Sequence, residues 1–440
     1  MYKSRFADSY PNTSEIRQRG ARNTYWPREK WLSAYVNLPL KAIFEQLPPK
    51  TRIRNKIPEA IEFADKLVAS ALLEEIKTYL LYKTLKDRID DGYQDYFMAK
   101  FNFENKHLGG PAERYPRDER CTRLVMNNFP FEIDAELTPI LFKDFPKEMV
   151  RAIAEKVRRA LVDQLKENKW LSESAKTEAI KKMETAKLSI ATPDRNEDWD
   201  FRPLKTYSET QPVQNQLKLE QAIIDQKFKR MKKEKNRDLW YLSPLVFNAF
   251  YVPEDNRLAI LQAMLQPPYF DLDRSEIENI AAVGSMAGHE LGHGIDDKGS
   301  RRDHTGKLRQ WMTEADMKEF KKRTSRSEKG FNGIGHDGSL SLGENVGDHM
   351  GIRAAFRAAF PNISKANTQD LQKFFVAYAK TFCEVNRPEL EKMLLKTDTH
   401  ALGRARINEQ VVNLEGFSKA FACKPGDKMY RNEQQRFVVW

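Results

Sequence analysis

GHELGHGIDD, residues 288–297, contains two of the chain's seven histidines. It places His289 and His293 four residues apart, with Glu290 directly after the first histidine. On an α-helix, residues four apart lie on one face, so both imidazoles can reach a single metal ion. Glu290 lies about 100° around the helix from His289, close enough to reach a water on that metal without competing as a ligand. The pattern is typical of a zinc-binding helix, and it needs a third ligand from elsewhere in the chain.

The stretch LSLGENVGDHMG, residues 340–351, offers that ligand. Zinc sites that do chemistry use three protein ligands and keep the fourth position for water. Glu344 and Asp348 lie four apart on one predicted helical face, which suits one carboxylate on the metal and a second behind it, accepting a proton from a ligand histidine. The alternative is a solvated acidic face, the usual meaning of two acids at this spacing. Together with the histidine pair, the pattern favours one zinc ion.

Glycines in the same predicted helix support a buried site. Gly284, Gly288 and Gly292 are spaced by four residues, and each interior glycine costs about 1 kcal/mol relative to alanine. A smooth glycine face lets another element approach closely, as a buried metal-binding helix requires. Tight packing without chemistry is the alternative; it explains the glycines but not the histidines.

The hydrophobic pattern predicts a mainly α fold with a small β-sheet. Helical periodicity marks 57–90, 146–167 and 172–187, and later 314–325, 343–359, 368–383 and 414–422. Residues 244–253 and 257–265 read as two strands joined by a hairpin-like turn, and Ser275 with Glu278 forms a capping box before the histidine helix. The stretch 192–203 is the best boundary, which predicts domains 1–191 and 192–440. No apolar run is long enough for a membrane helix, and no signal peptide is visible.

The net charge of +11 permits a nucleic-acid partner. The densest basic stretch, KFKRMKKEKNR at 227–237, continues a helical rhythm and lacks interleaved aromatic residues for base stacking. We therefore interpret it as a solvated helix end and predict no nucleic-acid partner. A nucleic-acid-binding protein that rests on this stretch is kept as an alternative.

Several longer segments are informative as a set: VFNAFYVP, LQPPYFD, GHELGHGIDDKG, SLGENVGDHMG, FFVAYAKTFCEVNRPE and TDTHALGRARINEQVVNLEGFSKAF. Together they resemble the neprilysin family of zinc metallopeptidases, which includes the endothelin-converting enzymes and bacterial oligopeptidases. The resemblance implies a two-lobed zincin, with a thermolysin-like catalytic lobe at 192–440 and a partial helical lid lobe at 1–191. It also implies a zinc-dependent endopeptidase that hydrolyses short peptides.

The resemblance also implies a role for each site residue. His289, His293 and Glu344 correspond to the zinc ligands, and Glu290 to the general base that activates a zinc-bound water. Asp348 corresponds to the carboxylate behind the first histidine. Asn248 and Ala249 are similar to the family's edge-strand residues that hold the substrate backbone, although from sequence alone they could belong to an ordinary core strand. His400 is similar to the family's oxyanion-stabilising histidine, and Arg406 to its substrate-carbonyl arginine. From sequence alone, these two could instead be solvated loop residues.

Some features depart from the family pattern. Gly347 stands where alanine is usual, the RFVVW tail lacks the family's cysteine, and family members usually carry a longer N-terminal segment. Taken alone, the three cysteines read as reduced core thiols of a cytosolic enzyme. The resemblance instead implies that Cys121, Cys383 and Cys423 each pair with a cysteine in that further segment. It also implies that the full protein is longer and extracytoplasmic. We therefore expect no disulfide bridge among these three cysteines. A folded but inactive remnant that binds zinc or peptide is the remaining alternative.

Overall fold

The computed structural model describes residues 24–55, 57–86, 94–108, 110–203 and 205–440. Helix makes up 58% of the structure and strand 5%, which confirms the predicted mainly α class with small sheets. The strands are β1 Thr24–Trp26, β2 Ile53–Asn55, β3 Lys187–Ala191, β4 Ala249–Val252 and β5 Arg257–Leu261. The α-helices are α1 Arg28–Ala34, α2 Leu40–Phe44, α3 Pro58–Ser70, α4 Leu73–Lys86, α5 Gln94–Leu108, α6 Arg117–Asn128, α7 Pro130–Leu141, α8 Lys147–Glu167, α9 Glu173–Glu184, α10 Pro212–Met231, α11 Glu276–Asn279, α12 Ser285–Gly292, α13 Glu314–Gly333, α14 Leu342–Ala359, α15 Thr368–Lys380, α16 Pro388–Thr397, α17 Gly403–Val411 and α18 Glu415–Phe421.

Contacts between Cα atoms divide the chain into two compact units, each built from two separate stretches. The first comprises 1–133 and 201–236, and the second 134–200 and 237–440. Residues 134–191, which we assigned to the lid lobe from sequence, thus group with the C-terminal stretch. The reason is physical: α8 packs on α12 and α14, and β3 pairs with β5. The functional division into lid lobe and catalytic domain stays a prediction.

The first unit is helical, with one short antiparallel pair, β1 with β2, beside a small aromatic core of Trp31, Tyr35 and Phe44. The helices α1 and α2 lie in this unit before residue 57, where the first predicted helix begins. The predicted helix 57–90 is interrupted after α3, because Ala71 is extended and the Glu75 carboxylate accepts a hydrogen bond from the Leu72 N–H as a new helix begins. The part of this prediction at 87–90 lies outside the described residues.

The second unit holds a three-stranded sheet in the order β3-β5-β4. Strand β4 is antiparallel to β5, as the predicted hairpin requires, and both strands are shorter than predicted. Strand β3 is parallel to β5 and was missed, since the sequence pattern placed Lys187 at a helix end. Within the described part of the chain, β4 has no strand on its other side, so its backbone edge is open.

The histidine helix begins as predicted with a capping box, in which the Ser275 side chain and Glu278 each bond the other's backbone N–H. It continues from α11 through a π-helical turn, Ile280–Gly284, into α12. All residues of α12 are buried. The metal-binding stretch therefore lies in the interior of the second unit and not on its surface.

The predicted glycine face is confirmed by the helices that pack against it. A Cβ on Gly284 would meet the side chains of Ile153 and Val157 on α8, and one on Gly288 would lie 2.9 Å from the Gly351 Cα of α14. Glycine on both helices brings their backbones into contact.

Among the described helices, none combines the length and the hydrophobicity that a membrane span requires.

Candidate metal centre

Three side chains converge where α12 meets α14. The Nε2 atoms of His289 and His293 are 3.1 Å apart, and they lie 3.3 and 3.2 Å from Glu344 Oε2. His289 and His293 come from the end of α12, while Glu344 comes from the first turn of α14. The structure thus brings together the three residues that the sequence proposed as ligands.

The triangle formed by these three atoms has the dimensions of a zinc site. Bonds of about 2.0–2.1 Å in a tetrahedral array place ligand atoms about 3.3–3.4 Å from one another. The three observed separations, 3.1, 3.2 and 3.3 Å, are close to that spacing. Two imidazole nitrogens and one carboxylate oxygen are also the donor set that zinc prefers. The residues present therefore fit zinc.

Each histidine is held from behind by a separate carboxylate. His289 Nδ1 lies 2.8 Å from Asp348 Oδ1, and His293 Nδ1 lies 3.0 Å from Asp296 Oδ2. Both aspartates are buried. A carboxylate at Nδ1 keeps the proton on that nitrogen and turns the Nε2 lone pair toward the centre of the site. The sequence predicted Asp348 in this role but not Asp296, although Asp296 lies in GHELGHGIDD, residues 288–297.

Asp348 is shared with a second partner. Its two oxygens accept hydrogen bonds of 2.8 and 2.7 Å from the Nε and Nη2 atoms of Arg406 on α17. Burial alone would raise the pKa of Asp348, but the Arg406 guanidinium and the His289 hydrogen bond outweigh it and hold that pKa far below its usual range. Asp348 is therefore a carboxylate at any pH near neutrality, which is the form that can orient His289.

The protonation of the ligand set follows from the same contacts. Burial would lower the pKa of His289, but hydrogen bonds to Asp348 and Glu344 raise it to about 9. The same balance, with Asp296 and Glu344 as partners, raises the pKa of His293 well above its usual value. Burial would raise the pKa of Glu344, yet the surrounding histidines lower it well below the ordinary range. A cation is thus strongly favoured among these groups, whether protons or a metal ion supply the charge.

Glu290 and His400 also lie beside the triangle. Glu290 is buried, and one carboxylate oxygen lies within 4.8 Å of nitrogens of both His289 and His293. His400 Nε2 lies 3.3 Å from Glu344 Oε2, and its Nδ1 lies 3.1 Å from Asp398 Oδ1. The side chain of His400 is 47% exposed, so it faces an open space and not the core.

That open space is a cleft of about 440 Å³ beside the triangle. Both His400 and Arg406 line it, together with the aromatic side chains of Phe247, Tyr269 and Phe382. Arg406 lies on α17, and its side chain is only 15% exposed because Asp348 holds it. Its position in a helix, bonded to Asp348, differs from the solvated-loop alternative that sequence alone left open.

The open strand β4 begins beside the same site. Asn248 directly precedes it, with an exposed side chain and a carbonyl that accepts a 3.1 Å hydrogen bond from the Leu261 N–H. Ala249 is the first residue of β4 and pairs with Ile260. The residues proposed for substrate binding therefore mark the start of an edge strand whose outer side has no described partner.

The loop that carries Asp296 is anchored by two residues of α9 that the sequence pattern did not reveal. The fully buried Lys182 Nζ donates 2.8 Å hydrogen bonds to the carbonyl oxygens of Gly299 and Arg302. One turn earlier, Glu178 accepts from the N–H of His304 at 2.9 Å. Lysine and glutamate four apart normally indicate an exposed helix face, so only the tertiary structure shows this anchor.

The three cysteines are free, as we expected for residues that are not bridged to one another. Cys121 and Cys383 are exposed, and Cys423 is partly exposed. The structure therefore does not show the buried core thiols that the cysteines suggest when taken alone.

Two models of peptidase family M13 match the chain, one at residues 4–193 and one at residues 248–437. The chain belongs to peptidase family M13. This confirms the resemblance on which the site assignment drew.

M13 relatives align along most of the chain at low identity. Membrane metallo-endopeptidase-like 1 of Mus musculus is 27% identical over 93% of this chain and 56% of its own length. Neutral endopeptidase of Lactobacillus helveticus is 27% identical over 90% of this chain and 61% of its own. Endothelin-converting enzyme 1 of Homo sapiens is 28% identical over 84% and 50%. The chain thus spans roughly half to three fifths of these relatives.

Solved structures of the M13 type share the fold. Zinc metalloprotease Zmp1 of Mycobacterium tuberculosis, solved with an inhibitor, has a TM-score of 0.88 at 21% identity and covers 100% of this chain and 69% of its own. PepO of Lactobacillus rhamnosis has a TM-score of 0.85 at 24% identity, covering 99% and 70%. These values establish a common architecture.

Proposed function

We propose that this protein is a zinc-dependent endopeptidase that hydrolyses short peptides. The observation that carries the proposal is the triangle of His289, His293 and Glu344, with its atoms 3.1 to 3.3 Å apart and the Glu290 carboxylate beside it. These three residues would hold one zinc ion, and Asp348 would orient His289. Bound there, zinc supplies the Lewis acidity that polarises a scissile carbonyl and makes water a better nucleophile.

Glu290 is the general base in this proposal. Its carboxylate lies close to both histidines without belonging to the triangle, so it can accept a proton from the attacking water and return it to the leaving amine. In this proposal, turnover therefore depends on the Glu290 carboxylate.

His400 is the proposed donor to the oxyanion. Asp398 engages its Nδ1, which leaves Nε2 directed at the site. The hydrogen bond to Glu344 raises the pKa of His400, so its cationic, donating form is favoured. A well-placed donor of this kind is worth about 3–4 kcal/mol of transition-state stabilisation in other enzymes.

Asn248, Ala249 and Arg406 would align the peptide. An extended substrate can add to the open edge of β4 through backbone hydrogen bonds, with the Asn248 side chain at its start. Arg406 is fixed by Asp348 through two of its nitrogens and lines the cleft, where it can meet a substrate carbonyl. We also propose an extracytoplasmic location, which the membrane-type names among the relatives and the exposed cysteines support.

The test is hydrolysis of internally quenched peptides of mixed sequence by the purified chain with one equivalent of zinc. Cleavage should stop with chelator and return with zinc. The Glu290→Gln variant should bind zinc but lose at least about nine tenths of its turnover, because it cannot accept the proton. The matched control is Glu314→Gln, an exposed glutamate at the start of α13, which should cleave normally. Zinc binding without cleavage by the wild type would favour the inactive-remnant alternative.

A further inference from the structure

A second cavity lies in the second unit, on another side of α14 from the proposed metal ligands. Its volume is about 610 Å³, and it is bounded by the ends of α8 and α14 and by the last residues of the chain. None of the residues proposed for catalysis, zinc binding or substrate binding lines it. Arg353, in its wall, follows Glu344 by nine residues on α14, which is about 13 Å along the helix. The cavity is therefore separate from the peptidase site.

Cations outnumber anions in this cavity. The carboxylate side chains that line it are Glu167, Glu415 and Glu433, and the lining residue Trp440 also carries the α-carboxylate at the end of the chain. The basic side chains that line it are Lys169, Arg323, Arg353, Arg357 and Arg436.

Two of the five cations already have carboxylate partners. Arg357 forms a double hydrogen bond to Glu167, with both distances 2.6 Å. Arg323 lies 2.9 Å from Glu319, which is on its own helix outside the cavity. The pair of Arg357 with Glu167 occupies one of the lining carboxylates, and no described ion pair joins the other arginine of α14 in this cavity to any of them.

Arg353 is that arginine. Its Nε atom is buried with no hydrogen-bond partner, and no ion pair or side-chain hydrogen bond involves its guanidinium in the described part of the chain. Burial and the neighbouring Arg357 both lower its pKa, which means that the surroundings disfavour its charge. A guanidinium stays charged in proteins, and an unpaired charge in such a place is costly until an anion meets it. Arg436 shares this cavity, and the hydrogen bond described for its guanidinium is from Nε to the Arg431 carbonyl.

The remaining walls are aromatic. The Trp170 and Trp440 rings lie 5.1 Å apart, and Trp170 Nε1 donates a 2.7 Å hydrogen bond to the Val439 carbonyl. Trp440 Nε1 is buried and has no hydrogen-bond partner among the described residues. Phe356, on α14 between Arg353 and Arg357, also lines the space. The cavity thus combines a fork of unpaired N–H donors with flat apolar surfaces.

We propose that this cavity binds a small organic oxyanion, a carboxylate or a phosphate, which Arg353 holds with the help of Arg436 and whose ring or chain lies against Trp170, Phe356 and Trp440. A guanidinium matches the geometry of either oxyanion through two parallel hydrogen bonds. The proposal does not depend on peptidase activity, because no part of the cavity belongs to the metal site.

The test is calorimetric titration of the purified chain with phenyl phosphate and, separately, with benzoate, at constant ionic strength. Saturable binding of at least one of them is expected, and the tighter of the two identifies the preferred anion. Arg353→Gln should weaken that binding at least about tenfold, since one charge-assisted contact of about 1.4 kcal/mol corresponds to that factor. The matched control, Arg159→Gln, removes an exposed arginine of α8 outside the cavity and should bind as the wild type does.

A second arginine variant and a second anion complete the test. If Arg353→Gln does not fold, Arg436→Gln takes its place, and it should also weaken binding at least about threefold. Inorganic phosphate should bind more weakly than phenyl phosphate if the aromatic walls contribute. The proposal is overturned if neither organic anion binds saturably to the wild type, or if the folded arginine variants bind as tightly as Arg159→Gln. Loss of peptidase activity in any variant has no bearing on these outcomes.

Discussion

Gly288 of α12 and Gly351 of α14 touch through their backbones: a Cβ added to Gly288 would lie 2.9 Å from the Gly351 Cα. This contact sets the separation of the two helices that carry the histidines and Glu344. A methyl group on either residue would push the helices apart and stretch the triangle.

Gly351→Ala should therefore destabilise the protein. Its Cβ would lie 2.3 Å from the Ser285 carbonyl oxygen and 2.9 Å from the His289 nitrogen, and both are backbone atoms that cannot rotate away. We expect a loss of at least about 2 kcal/mol in the free energy of unfolding, measured by urea titration. Gly333→Ala is the control, because nothing lies within 4 Å of its Cβ, and it should be neutral or slightly stabilising. Equal stability of the two variants would contradict this account of the helix contact.

Glu344→Ala and Asp348→Ala should differ in how they lose zinc. The first removes a proposed ligand atom, whereas the second removes a carboxylate that contacts His289 from behind. Losses of the second kind weaken metal affinity or activity by about 10–100-fold. On stepwise dialysis against a weak chelator, with metal content measured after each step, Glu344→Ala should lose zinc first. The opposite order would show that the two roles are exchanged.

Asp296→Asn should weaken zinc binding although Asp296 is not a ligand. Its Oδ2 atom orients His293, and its Oδ1 accepts hydrogen bonds of 2.8 and 2.7 Å from the N–H groups of Lys298 and Gly299. We expect a fall in zinc affinity of about 10–100-fold, measured by competition with a chromogenic chelator. Asp297→Asn, the neighbouring position, makes no described hydrogen bond to either histidine and should change the affinity less. A larger effect at Asp297 would refute the role given to Asp296.

Lys182 should leave a signature in the pH dependence of stability. Burial lowers the pKa of Lys182 from 10.5 to about 8 in the folded protein. Between these two pH values the unfolded chain binds more protons, so the contribution of Lys182 to stability rises with pH and is lost as pH falls through about 8. Relative to Lys182→Met, the wild type should gain about 3 kcal/mol between pH 8 and 10.5 in urea unfolding. Lys181→Met, at an exposed neighbouring position, should show no such trend.

Local spacing was sufficient to place His289 and His293 on one side of a helix, because residues four apart on a helix share a face. The choice of Glu344 as their partner drew on the family resemblance, because it lies on a different helix. The capping box and the glycine face were predictable because each depends on residues a few positions apart in the same helix. Asp296 was not, since it follows the end of α12 and its direction depends on the turn that the backbone takes there. Lys182 and strand β3 are also non-local: their partners lie far along the chain, and no periodicity within α9 or β3 marks them.

Local sequence patterns could not predict the division into compact units either. Residues 201–236, including α10, return to the first unit after the chain has already entered the second. The stretch 192–203 does contain a turn-rich boundary, but a boundary in sequence does not say to which unit the flanking helices belong. That choice is made by side-chain packing, such as the contacts of α8 with α14.

The π-helical turn at Ile280–Gly284 also determines how this segment tolerates changes in chain length. A hydrogen bond that spans five residues instead of four accommodates one additional residue within a turn. The chain between the capping box and the histidines thus contains one residue more than an unbroken α-helix would need to orient both of them as they are. Shortening the chain by one residue inside this turn would convert it to ordinary α-helix and leave both flanks facing as they do now. Shortening it by one residue within α12 would instead turn the preceding helix by about 100° relative to the histidines.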